Sequence, residues 1–160
     1  MKKKKRKKKK KLNLSDYDRM VNFYSKESDR ASAILAASFL DAYLAQFLKE
    51  FMINDQQACD ELLNGYGPLA TFSARRECAY IFGYIDEDMR NDIKYIAKIR
   101  NEFAHNHEMT SFKETPIPDL CQNLTTASSV KGPRYQYLVA VSLIFATLDA
   151  KIRSPKKTKI

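Results

Sequence analysis

Met89, Ile93, Ile96, Arg100 and Phe103 follow one another at steps of four, three, four and three residues. That is the repeat of one face of an α-helix. It constrains the chain more than any other feature, because its fourth member is a cation on a stripe that should face the core. The spacing predicts a helix from about Asp86 to Ala104, opened by Asp86-Glu87-Asp88 at the end where acids complement the helix dipole. A guanidinium on the buried face needs an acidic or carbonyl partner, since an unpaired buried charge is costly. Arg100 is either a structural anchor between helices or part of a site, and the spacing leaves both open.

The rest of the chain reads as helices as well. Ser15 to Asp18 has the Ser-x-x-Asp pattern of a helix start and predicts a short helix of about ten residues. The longest helix is predicted from about Glu27 to Met52. Ile34, Leu35, Leu40, Leu44, Phe47, Leu48 and Phe51 cover more than one of its faces, which makes it central. Glu27 and Asp29 fall in its first turn, where the dipole alone explains an acid. A third helix is predicted over 54–63, broken by Gly65-Tyr66-Gly67-Pro68. A fourth is predicted from Phe72 to Phe82, with Thr71 as cap and Gly83 as stop. Arg75 and Arg76 lie near its start, the unfavourable end for cations, so at least one is expected to have an acidic partner, with a solvated surface position as the ordinary alternative. His107 to Pro133 is a long connection in which Pro118 can open a short helical turn. Tyr135 to Ile152 forms the last helix. No strand alternation, repeat or domain linker is visible. The expectation is an all-α, single-domain bundle of about six helices.

Charge divides the chain in three. Residues 2–11 supply ten Lys and Arg, and residues 151–159 supply five more. From Leu12 to Ala150, 13 basic residues face 19 acidic ones, a net charge of −6. The organisation is therefore a basic low-complexity tail at 1–11, a helical domain at 12–153 and a basic tail at 154–160. The Lys2–Lys11 tail suits loose attraction to phosphate backbones or has no specific role. The acidic body suits a DNA-binding face poorly, and no helix-turn-helix with a basic recognition helix is apparent. No apolar segment follows the tail, so it does not read as a signal sequence, and no run of about 18 uninterrupted apolar residues occurs, so no membrane span is expected. Cys59, Cys78 and Cys121 are odd in number and far apart, which fits a reducing cytoplasm better than a disulfide framework. His105-Asn106-His107 lacks further ligands at metal-site spacing, and neither metal nor cofactor is expected.

Arg100 and His105 are about 140° apart on an unbroken helix, whereas Asn101 and His105, four apart, share a face. If the arginine reached round, His105 could transfer protons at an RNA 2′-hydroxyl or leaving oxygen while Arg100 stabilised the charge on phosphorus. A single histidine is too few for both proton transfers, so this reading implies a second copy of the chain. The alternative pairs Arg100 with Asp29 or Glu27 of the central helix and leaves His105 to cap its own helix.

Arg100-Asn101 followed by His105 resembles the signature of the HEPN superfamily, an arginine followed by a histidine after four to six residues. That resemblance implies a helical bundle, often dimeric, in several members a metal-independent ribonuclease. A wider resemblance covers Glu27-Ser28-Asp29-Arg30-Ala31, Gly67 to Arg75 and Ile99 to His105. These three blocks, in this order, are similar to the mannitol operon repressor family. The resemblance implies an all-helical transcriptional regulator, non-enzymatic, whose contact with DNA is direct or made through a partner or the tails. It carries over to Glu27, Asp29, Arg30, Phe72, Ser73, Arg75, Arg100, Asn101 and His105 as a polar cluster or partner site, with Asp29 or Glu27 expected to face Arg100. A homodimer and a protein partner are implied, with DNA as ligand for a regulator and RNA for a ribonuclease; a plain protein-interaction module is the third reading. Two outcomes separate these. A ribonuclease should cleave RNA in EDTA and lose cleavage in His105→Ala with the fold intact. If only the tail binds nucleic acid, removing residues 1–11 should abolish binding, and binding by the full chain should weaken steeply between 50 and 200 mM salt.

Overall fold

A computed structural model describes residues 22–154. The expected helix start at Ser15 and both basic tails beyond those limits lie outside the described residues. Within them the elements are α1 (Asp29–Lys49), α2 (Gln56–Leu63), α3 (Phe72–Ile81), α4 (Glu87–His105), α5 (Ile117–Gln122), a 3₁₀ turn (Thr125–Ala127) and α6 (Pro133–Arg153). Residues 22–25 are also helical, and no strand occurs among the described residues.

The helix starts follow side-chain capping, which moves several of them by a residue or two from where periodicity alone puts them. Ser28 accepts from the Ala31 N–H and opens α1 at Asp29, leaving Glu27 in the preceding turn. Asp55, Thr71 and Asp86 cap α2, α3 and α4 in the same way. The last helix begins two residues earlier than its hydrophobic stripe suggests. Gly132, at φ 89°, makes the sharp entry that Pro133 needs to stand at the first helical position.

α1 is the central rod, packed on α6, α4 and α3. It runs parallel to α6. Tyr137 Oη donates to the Ala33 carbonyl at 2.7 Å, Phe39 meets Phe145 with ring centroids 5.2 Å apart, and Tyr43 Oη donates to Asp149 at 3.0 Å. The pairs advance together along both helices. Ala33, Ala36 and Ala37, all buried, let neighbours approach α1 closely in its first half, and Leu40, Leu44, Phe47 and Leu48 fill its second half. By length and composition α1 and α6 could each cross a membrane. Here they are the innermost helices, with Asp41, Asp149 and Arg134 each engaged in an ion pair.

The stripe on α4 is as expected at Met89, Ile93, Ile96 and Phe103, all buried, while Arg100 is half-buried. The face is wider than the stripe, because Asp92 and Ile99 are fully buried beside it. Asp92 accepts four hydrogen bonds: from the Thr125 and Thr126 N–H groups at 2.8 and 2.9 Å, and from both threonine hydroxyls. It thereby fixes the 3₁₀ turn of the long connection onto α4. A carboxylate with this many donors is satisfied without a cation.

All three cysteines are free, and burial pushes the Cys121 thiol up to about 12. A thiol whose pKa is higher in the folded than in the unfolded state adds stability below the unfolded value, and that stability is lost as pH climbs through the folded one. Unfolding free energy should therefore fall above pH 9, and Cys121 should react with thiol reagents only on unfolding. Asp92→Ala removes four hydrogen bonds that hold the 3₁₀ turn and should lower unfolding free energy in urea by about 1–3 kcal/mol.

Candidate functional site

The residues of the three sequence blocks gather around α1, but in two places. At the head of the bundle, where α1 and α6 both begin, Arg134 is the centre. Its Nη1 donates to Asp29 at 2.5 Å. Its Nη2 lies within reach of the carbonyls of Tyr24, Ser25 and Glu27 and of Ser32 Oγ, at 3.2, 2.9, 2.6 and 3.0 Å. Nη2 has two hydrogens to share among these oxygens, and the Tyr24 carbonyl also accepts from Ser32 Oγ, so one guanidinium gathers the end of the helical segment 22–25 and grips the first turn of α1. The other oxygen of Asp29 accepts the Phe112 N–H at 2.9 Å, which ties the long connection to the same point. Arg30 donates to the His107 carbonyl at 3.3 Å, just beyond the end of α4.

The expected pairing of Asp29 or Glu27 with Arg100 does not occur. Asp29 is taken by Arg134 and Phe112, and Glu27 contributes its backbone carbonyl to Arg134. Arg100 Nε is sealed from solvent and has no hydrogen-bond partner among the described residues. Its charge acts instead on the Tyr137 phenol: burial raises that group far above the usual tyrosine range, Cys121 adds to the rise, and Arg100 opposes it. Arg100 Nε is therefore buried within electrostatic range of Tyr137 on α6. Asn101 and His105, on the same helix, are exposed.

The second place is about 18 Å further along α1, twelve residues at 1.5 Å each. Arg75, only 8% exposed, donates to Asp41 at 2.6 Å and to the carbonyls of Leu63 and Leu69 at 2.7 and 2.9 Å. The cation at the unfavourable end of α3 thus has the acidic partner that the dipole argument requires. It also pins the turn between α2 and α3. Gly67 in that turn lies so close to the preceding helix that a Cβ would stand 2.2 Å from the Glu61 carbonyl oxygen. Ser73 is exposed, its hydroxyl 3.2 Å from that of Thr71. The polar groups of the blocks do not form one cluster. Arg76 and Arg90 share Glu77, whose carboxyl is held below its usual range chiefly by the hydrogen bond from Arg90.

Arg134, Asp41 and Asp92 are functional to the architecture and were not singled out from the sequence. Arg134 had a signal: it is a cation in the first turn of a helix, the same anomaly that marks Arg75. Asp92 had another, lying between Met89 and Ile96 on the apolar face.

These features define an all-helical domain whose loops are held by buried and half-buried charged side chains, and no group of three or more His, Cys, Asp or Glu among the described residues is placed to hold a metal. The family model described as mannitol repressor (MtlR) matches residues 17–146. The chain belongs to the mannitol repressor family. Among solved structures it is similar to MtlR of Escherichia coli in its complex with HPr, with a TM-score of 0.70 and 17% identity over 83% of this chain and 98% of that one. It is also similar to YggD of Shigella flexneri 2a, described as a possible transcriptional regulator, with a TM-score of 0.67 and 16% identity over 86% and 97% of the two chains. No curated protein matches.

The two arginines should behave oppositely when replaced. Arg134→Ala breaks a partly buried pair and uncovers several carbonyls, and should lower unfolding free energy by about 2–4 kcal/mol. Arg100→Met removes an unpartnered polar atom and keeps the apolar stem, so chemical denaturation should show a change within about 1 kcal/mol of zero.

Proposed function

We propose that this chain is a cytoplasmic repressor-type regulator that acts by docking a small protein, and that its contact with DNA is made through a partner or through the Lys2–Lys11 tail. The observation that carries this reading is the likeness to a relative crystallised with HPr, which extends over 98% of that relative's length. The charge of this chain supports it. The body from 12 to 150 has a net charge of −6, and its buried Arg75 and half-buried Arg134 are spent on internal partners. Phosphate backbones are held by clustered accessible cations, and the body offers few.

The residues of the family blocks, together with Arg134 outside them, divide their labour in this reading. Asp29, Arg75 and the unexpected Arg134 hold the scaffold, whereas Ser73, Asn101 and His105 stand exposed for contacts with a partner. A ribonuclease would need Arg100 and His105 on one phosphate. The sealed Nε of Arg100 and the exposed His105 favour the regulator over that chemistry.

Isothermal titration of the full-length chain with purified HPr tests the reading. Saturable one-to-one binding is expected. Absence of heat at protein concentrations of hundreds of micromolar would overturn it, because regulatory docking in a cell needs affinity at least in the micromolar range, about −8 kcal/mol.

A further inference from the structure

The head of the bundle is held by Arg134; the other end, among the described residues, carries a run of aromatic rings. There Phe47, fully buried, leads outward through a chain of rings. Phe51 lies 4.9 Å from Phe47, Tyr84 lies 4.4 Å from Phe51, and Phe82 lies 6.1 Å from Tyr84. The chain ends in solvent. Phe82 is 68% exposed and its neighbour Ile81 is 76% exposed. Gly83, at φ 70°, turns the backbone there, and Ile85, buried, anchors the next residues. The apolar patch therefore sits on a braced base. Immediately after it come Asp86, Glu87 and Asp88, all three exposed. The nearby cations Arg76 and Arg90 are drawn off onto Glu77, and Arg90 also lies over the Tyr80 ring at 4.6 Å.

We infer that the Ile81–Phe82 surface, with its rim of Asp86, Glu87 and Asp88, is the docking site for a protein that presents an apolar patch flanked by Lys or Arg. The inference rests on the protein-docking reading above and gives it a place on the molecule. Large exposed apolar side chains on a stiff base are the form an interface anchor takes, and the charged rim sets the sign of the partner. A second copy of this chain is a poorer occupant. Its body is acidic too, so a two-fold contact here would bring acidic rims toward each other. The basic rim also separates this partner from nucleic acid, which the three acids would repel.

The test titrates full-length protein with purified HPr, comparing Ile81→Ser, Phe82→Ser and the double variant Glu87→Gln/Asp88→Asn with the unchanged chain. Asp86 is left alone because it caps α4. Tyr66→Ala, which removes a fully exposed aromatic ring in the turn after α2, serves as control. Thermal unfolding and sedimentation of each variant check the fold and self-association. The expected result is a loss of affinity of at least 10-fold in Ile81→Ser and in Phe82→Ser. Neutralising the rim should slow association and flatten its salt dependence, and Tyr66→Ala should bind as before. Binding unchanged in both serine variants would overturn the inference and leave the docking reading standing. Absence of binding by the unchanged chain would overturn the docking reading and this surface with it. A dimer that dissociates in Phe82→Ser would assign the patch to a second copy and contradict the inference.

Discussion

Arg134 is the interaction on which the arrangement of the described chain depends. It stands in the first turn of α6 and reaches across to Asp29 in the first turn of α1, so the two innermost helices are locked in parallel at their starts. The same guanidinium lies against carbonyls at the end of the 22–25 segment, and the carboxylate it grips receives the Phe112 amide. A buried ion pair is by itself weak evidence of stability, because desolvation offsets attraction. Its weight here comes from the several partly buried oxygens of the 22–32 stretch that it gathers beside Asp29.

The same device recurs twice. Arg75 satisfies the carbonyls of Leu63 and Leu69 while paired with Asp41, and Asp92 satisfies the amides of Thr125 and Thr126. In each case a charged side chain on a long helix holds an irregular segment. A bundle with a connection as long as 106–132 has many backbone groups that no helix can pair. Charged anchors do that work without secondary structure, and they leave the hydrophobic core intact behind them.

Much of this was legible in the sequence. Apolar periodicity, the Thr71 cap and the acids at Asp86–Asp88 placed α1, α3, α4 and α6 to within a few residues, and the dipole rule announced an acidic partner for Arg75 or Arg76, which both have. The partner of Arg100 was not legible. Periodicity says which face a residue occupies, but not which side chain from a distant element arrives there first. Asp29 and Arg134 are separated by 105 residues, and nothing local to either reports the other. The expected carboxylate clamp on α1 exists, yet it closes on a different arginine. The surface at Ile81 and Phe82 escaped for a related reason: the stretch reads as an ordinary helix end, and only the packing shows that the rings continue out of the core.

Membership of the mannitol repressor family gives the chain its class, and its acidic body with internally spent arginines directs the regulatory reading toward protein docking. The scaffold claim beneath that reading is sharper and can be measured by itself. A double-mutant cycle on Asp29→Asn and Arg134→Gln, followed by urea denaturation, isolates the coupling between the two side chains. The account predicts a coupling energy above about 1 kcal/mol, with the double variant less destabilised than the sum of the single ones. Strict additivity would contradict it and leave the fold without the clamp described here.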